Sequence, residues 1–252
     1  MTFSSAARWA IYVTGEKRWR CFADWPPPEA EPIPYFFHSE GRANSSYGDG
    51  ALSRTTPTGE PVDVFTYDPM FAIPSLGGQS CCYDFISPMG PADQGPAEKL
   101  NGVLCYTTAA LAEELLLVGE PSVTLYAATS AVDTDWTARL CEVSADGTST
   151  NIKAGIVRAR SRDSLSDPTL VAPHTVVRYE IALGPIGVLV PAGHRLRVTI
   201  SRSDFPHWDR NLNTGGPLFR EGITQSIVAT QTVLHDATYP SSITLPVVRR
   251  AT

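Results

Sequence analysis

The sequence predicts an all-β domain built as a sandwich or jelly roll, and three observations carry that expectation. Short apolar/polar runs recur between turn signals at 122–129, 136–143, 152–160, 176–183, 195–202, 228–235 and 243–248, the spacing of a sandwich rather than of βαβ units. The clearest run places Leu196, Val198 and Ile200 on one face and Arg195, Arg197, Thr199 and Ser201 on the other, so one side is expected buried and the other wet. Finally, only AALAEELLLV at 109–118 has helix-like propensity; it is short and Gly119 follows, so helix and strand both stay open there.

Taken in order, residues 1–30 read as an appended piece and 31–252 as the main domain. Residues 9–14 form a strand. Residues 15–28 cross the domain, with Trp19 and Trp25 as anchors and a run of three prolines ending regular structure. Residues 34–38 are a short aromatic strand, 39–61 turn polar and glycine-rich, and 62–67 alternate again. Residues 76–96 form a long Gly/Pro-rich loop with apolar side chains at Cys81, Cys82, Tyr83, Phe85 and Ile86, and a loop of that length is functional or covered by something. Asp146-Gly147 is the best tight-turn signal.

Composition narrows the function. The 252 residues carry a net charge of −6, and no Lys/Arg cluster suits nucleic acid. Arg158, Arg160 and Arg162 alternate as one polar face would. No apolar run approaches the ~20 residues of a membrane span, and the N-terminus shows no signal peptide. Five cysteines without zinc-ligand spacing fit reduced thiols in a cytoplasmic protein. His38, His174, His194, His207 and His235 stand singly, so no metal or cofactor is expected.

Residues suited to catalysis are scarce. There is no G-x-S-x-G nucleophile turn; Ser80, in Gly78-Gln79-Ser80-Cys81-Cys82, and Ser149 come nearest, and neither motif ends in the required glycine. Cys81 or Cys82 would need a base or cation to become a thiolate. Asp133 and Asp135 point to one side of an extended chain, where bonding to local backbone is their expected role. The densest polar stretch is SDFPHWDRNLNTGG at 203–216. Phe205 and Trp208 are expected to bury their rings there, while Asp204, Asp209, Arg210, Asn211 and Asn213 satisfy an irregular backbone. Asp209, Asn211 and Asn213 have D-x-N-x-N spacing, but Thr214 and Arg220 stand where a calcium loop needs Gly and Glu, so a structural corner is expected.

That stretch, with the preceding GHRLRVTISR, GPLFREG and TVLHDATYPSSITLPVV after it, resembles the C-terminal domain of the X-Pro dipeptidyl-peptidase and cocaine-esterase-like family of serine hydrolases. GEKRWRCFADWPPP, YDPMFAIPSLGG and SAVDTDWTARLCEV match in the same order. The resemblance implies a jelly-roll β-sandwich, galactose-binding-like, packed on an α/β-hydrolase domain in cis or in trans and helping to shape its substrate pocket. The family's nucleophile, acid and histidine belong to a preceding domain, so the resemblance assigns no catalytic residue here, and a truncated, split or excised chain is expected. Cys82, Tyr83 and Phe85 are the expected substrate contacts. An exposed packing face would also permit a homo-oligomer. Two alternatives stand beside this one: a carbohydrate-binding module stacking sugars on Trp136, Trp208 or Tyr83, and a self-sufficient hydrolase using Ser80 or Cys82.

Overall fold

The computed structural model describes residues 8–79 and 89–249. It contains fifteen strands among these residues: β1 (Trp9–Val13), β2 (Arg18–Phe22), β3 (Ala30–His38), β4 (Ala51–Ser53), β5 (Asp63–Tyr67), β6 (Leu104–Thr108), β7 (Leu115–Gly119), β8 (Ser122–Thr129), β9 (Asp135–Val143), β10 (Ser149–Arg158), β11 (Val177–Ala182), β12 (Ile186–Val190), β13 (Arg195–Ser201), β14 (Ala229–Leu234) and β15 (Ser242–Val248). One short helix, α1 (Gly95–Glu98), and three single 3-10 turns complete the regular structure. No helix among the described residues is long and apolar enough to cross a membrane.

The first layer runs β10-β9-β13-β6-β4, continues through β3 into β15, and folds over into a second layer of β8, β14, β5 and β11. Trp136, Ala138, Leu140, Leu196, Val198 and Ile200 from the first layer meet Val123, Leu125, Tyr179, Ile181 and Val233 from the second in one core. Each large apolar side chain buried this way contributes about 1.5–3 kcal/mol relative to leaving it exposed. The fold is therefore an all-β sandwich, as the alternation predicts.

One open reading is settled and two expectations change. The 109–118 run contributes a strand, β7, which pairs with β12 from Leu115 to Gly119. Leu117 faces the main core, while Leu116 and Val118 pack under the N-terminal strands. Both faces are apolar, so no period of two was available to separate strand from helix. The crossing segment is a hairpin, with β1 and β2 paired from Trp9↔Phe22 to Val13↔Arg18. It is tied to β12 by Thr14 N to Gly187 O and Leu189 N to Thr14 O, both 2.9 Å.

The expected wet face of β13 is the second. Thr199 and Ser201 are buried because the chain between β5 and β6 covers that side of the first layer. There Ser149 donates to Glu98 Oε1 at 2.7 Å, and Arg197 forms an ion pair with Glu98 Oε2. The expected Asp146-Gly147 turn is present between β9 and β10, closed by Ser144 N to Thr148 O at 3.0 Å.

Candidate functional site

At the C-terminal end of β13 the chain leaves the sheet with Arg202 and Asp204 on opposite faces. Arg202 continues the core-facing row of Leu196, Val198 and Ile200, and its guanidinium lies over the rings of Phe65 and Tyr67 at 3.9 and 4.6 Å. Burial pushes it well below its ordinary value, and its Nε and Nη1 have no hydrogen-bond partner among the described residues. Stacking on two ring faces offsets part of that cost. Asp204 turns to the opposite side of the sheet from the core, where it is buried and forms an ion pair with Arg139 Nη2 at 2.6 Å.

The 203–207 stretch then aligns with 73–75 almost as a strand would. Ile73 N donates to Ser203 Oγ at 2.8 Å, Phe205 N to Ile73 O at 3.0 Å and Ser75 N to Phe205 O at 2.8 Å. His207 N reaches Ser75 Oγ at 3.0 Å. Beyond Ser75, Gly78 and Gly90 exchange two backbone bonds, 2.7 and 2.9 Å, closing the neck of the long loop. Asn151 grips that neck from β10, donating to Gly90 O at 3.2 Å and accepting from Ala92 N at 2.7 Å. Gln94 donates to Leu76 O at 2.6 Å and accepts from Arg139. Gly77 is required in the neck: its φ is +70°, and a Cβ would lie 2.4 Å from Gly90 O.

Against the neck lies a cavity of about 140 Å³ lined by Gly77, Gly78, Arg139, Asn151, Asp204 and His207. His207 stacks on Trp208 with 4.5 Å between centroids and holds Nδ1 3.7 Å from Asp204 Oδ2. Cys82, Tyr83 and Phe85, with Ser80 and Cys81, lie outside the described residues.

The rest of the 203–216 stretch is tied inward. Asn211 donates its amide to Asp133 Oδ2 and Asp135 Oδ1, each at 2.9 Å, and Tyr67 OH donates to Asn211 O at 3.1 Å. Asn213, at φ +64°, donates to Ile227 O at 2.6 Å. Asp209 is exposed. The expected local bonding of Asp133 and Asp135 is replaced by long-range pairing: Arg158 forks Asp135 at 2.7 and 2.8 Å, and Arg160 Nε meets Asp133 at 2.7 Å. The alternating arginines are thus counter-ions drawn against buried carboxylates.

Phe205 also departs from expectation. Its ring is exposed and covered on one side by the Arg210 guanidinium at 4.3 Å, because the pairing with 73–75 turns it outward. Phe71 and Phe219 are 80 % and 84 % exposed, and Met70 and Leu218 are exposed beside them in sequence. Arg210 links these pieces, reaching Pro69 O at 3.4 Å and lining a cleft with Leu218 and Phe219. Trp136 is fully buried against Phe65 and Tyr179, so it has no face to offer a sugar.

A second polar cluster escapes sequence reading altogether. Ser39 Oγ donates to Asp63 Oδ2 at 2.9 Å and lies 3.1 Å from His235 Nε2. His235 Nε2 is 2.9 Å from the same Asp63 oxygen, Tyr106 OH donates to it at 2.8 Å, and Ala43 N donates to Asp63 Oδ1 at 2.8 Å. These are the residue types of a hydrolytic triad in the wrong arrangement. Glu60 Oε2 does face His235 Nδ1 at 3.3 Å, but Ser39 gives its proton to Asp63, which also occupies Nε2, so the imidazole is not placed to take the proton from the serine as a general base must. Ser39, Asp63 and His235 are all buried as well.

Thiol chemistry fares no better at the two buried cysteines; the third described cysteine, Cys21, is exposed on β2. Cys105 and Cys141 are buried, and burial pushes the Cys141 thiol up to about 12 and Cys105 upward also, far from thiolate. Among the described residues no group of three or more side chains converges to hold a metal ion.

Residues 2–244 match the model of the X-Pro dipeptidyl-peptidase C-terminal non-catalytic domain. The chain belongs to this family. It is 38% identical over 243 residues to cocaine esterase from Rhodococcus sp. (strain MB1 Bresler), covering 95% of this chain and 42% of that protein. Among solved structures it is similar to an aminopeptidase from the marine sediment archaeon Thaumarchaeota archaeon, with a TM-score of 0.86 and 25% identity over 98% of this chain and 41% of that one. It is also similar to an α-amino acid ester hydrolase, with a TM-score of 0.83 and 27% identity over 94% of this chain and 40% of that one. The chain therefore spans about two-fifths of the length of these relatives, as a non-catalytic domain of a larger hydrolase does. The family domain contributes no G-x-S-x-G turn here, and the Ser39 cluster does not replace it.

Proposed function

We propose that this domain shapes the substrate pocket of a serine hydrolase that cleaves ester or peptide bonds, docking the end formed by 69–79, 89–91 and 203–219 against an α/β-hydrolase domain. The observation that carries this reading is the clamped neck at Gly78 and Gly90, held by Asn151, Gln94, Arg139 and Asp204. Such a base fixes the two points where the chain enters and leaves the long loop, as a rigid support for a pocket wall requires. Cys82, Tyr83 and Phe85 are the side chains we assign to contact with the acyl or peptide portion of the substrate. The exposed Phe71, Phe205 and Phe219 around Arg210 supply the apolar contact of docking. The chemistry itself, attack by an activated serine through an acyl-enzyme, belongs to the partner domain. A reducing, cytoplasmic setting suits the free thiols.

The test is reconstitution. The chain alone is expected to hydrolyse p-nitrophenyl esters no faster than buffer. Mixed with, or fused behind, an α/β-hydrolase domain from a relative, it is expected to raise kcat/KM. Tyr83→Ala is then expected to change the preference among acyl chain lengths. Hydrolysis by the isolated chain that a substitution in the chain itself abolishes would refute the reading.

A further inference from the structure

We propose that Glu60 and His235 form a latch, opened by alkali, that holds the connection from Ser53 to Val62 over the buried carboxylate of Asp63. Glu60 reaches two histidines at once: Oε1 is 2.7 Å from His38 Nδ1, and Oε2 is 3.3 Å from His235 Nδ1. His38 Nε2 in turn lies 3.1 Å from both Thr55 O and Ser53 Oγ, and Ala237 N donates to Thr58 O at 2.8 Å. The connection is thus pinned to the ends of β3 and β14 through one carboxylate and two imidazoles.

Both ring nitrogens of His235 face carboxylates, Nδ1 towards Glu60 and Nε2 towards Asp63. A doubly protonated ring donates to Asp63 through Nε2 and meets Glu60 through Nδ1 as a 3.3 Å ion pair rather than a hydrogen bond. A neutral ring carries one N–H, so one lone pair must confront a carboxylate oxygen. Asp63 keeps three other donors, from Ala43 N, Tyr106 and Ser39, and it is fully buried. Outside the two histidines, Glu60 accepts from Ser39 N at 3.3 Å. The remaining proton therefore stays with Asp63, and the Glu60 contact is the one that breaks.

The other groups around the ring agree with this order. The Tyr106 ring meets His235 edge-on at 6.0 Å, and Asp49 acts on Tyr106 as a further negative charge. Burial opposes the imidazolium, but the hydrogen bond and charge of Asp63 and the charge of Glu60 outweigh it, raising His235 above its ordinary 6.5. Asp63 feels burial in the opposite sense, and the bonds from His235, Ala43, Tyr106 and Ser39 hold it below its ordinary 3.8. The His235 contribution is therefore complete below about pH 6.5 and fades as pH rises through its folded value. The Asp63 contribution fades only in acid.

The test follows the intact chain by NMR titration of the His235 Cε1–H signal and by hydrogen exchange of the 54–62 amides, corrected for the intrinsic base catalysis of exchange. A His235 midpoint above 6.5, with corrected exchange at 54–62 rising severalfold across that midpoint, is expected. Glu60→Gln, which keeps the shape of a half-buried side chain, is expected to lower the midpoint and leave the corrected exchange fast at all pH values. A midpoint at or below 6.5, or corrected exchange at 54–62 that ignores both pH and Glu60→Gln, overturns the latch. His235→Gln should reproduce the open connection; if it does not fold, the Glu60 variant still decides.

Discussion

The Ser39 cluster and the loop end are built from the same kinds of side chain, yet they are finished differently. In the cluster, Asp63 gathers donors from four directions in a site closed to solvent. At the loop end, Asp204 and Arg139 pair beside a cavity, and the surrounding phenylalanines remain uncovered. The region that has the composition of an active site is a structural staple between the layers. The region that looks like an ordinary polar corner carries the neck, the cavity and the open apolar surface. Composition alone would assign the two roles the wrong way round, because catalysis depends on which atoms face which and on access.

The sharpest way to break this contrast is Asp63→Ala. It strands the buried His235 ring and the Tyr106 and Ser39 hydroxyls without their acceptor, and we expect a loss of about 3–5 kcal/mol in urea denaturation. A loss near zero would mean that the cluster does not staple the layers. Asp204→Asn removes the charge facing Arg139 and is expected to cost about 1–3 kcal/mol. It should also speed proteolysis between residues 75 and 91; equal cleavage rates would detach the neck from the Arg139 pair. Ser39→Ala is expected to cost about 1 kcal/mol and to leave esterase activity of the reconstituted enzyme unchanged. A collapse of activity there would restore Ser39 as a nucleophile.

The smallest stability effect is expected from Phe71→Ser combined with Phe219→Ser, within about 0.5 kcal/mol. That variant should nevertheless weaken docking to the hydrolase domain and reduce self-association of the lone chain in light scattering. Unchanged association would place the docking surface elsewhere.

Much of the sandwich was legible, and the exceptions have a common cause. β8 was read to the residue at Ser122–Thr129, and β13 and β15 nearly so, because one face alternates cleanly. β6 has no signal and β7 stays open between helix and strand, because both of their faces are covered and LCYTT and LLLVG show no period. At the loop end, the density of Asp and Asn marked the corner, but long-range ties such as Asn211 to Asp133 have no sequence signature. The Ser39 cluster joins residues as far apart as 39 and 235. One signal was available: in DVFTY, a period of two puts Asp63 on the same face as Phe65 and Tyr67. A carboxylate on a core-facing row announces a buried partner. Arg202 sits likewise in line with Leu196, Val198 and Ile200.

The paired backbone bonds between Gly78 and Gly90 fix where the chain leaves the neck and where it returns. Among the described residues, the neck is held by Asn151, Gln94, Ala92 and the backbone around Phe205. The Gly78–Gly90 bonds and the Asn151 and Gln94 contacts use only the described residues. The described part of the domain is then a fixed base from which the intervening chain leaves and to which it returns.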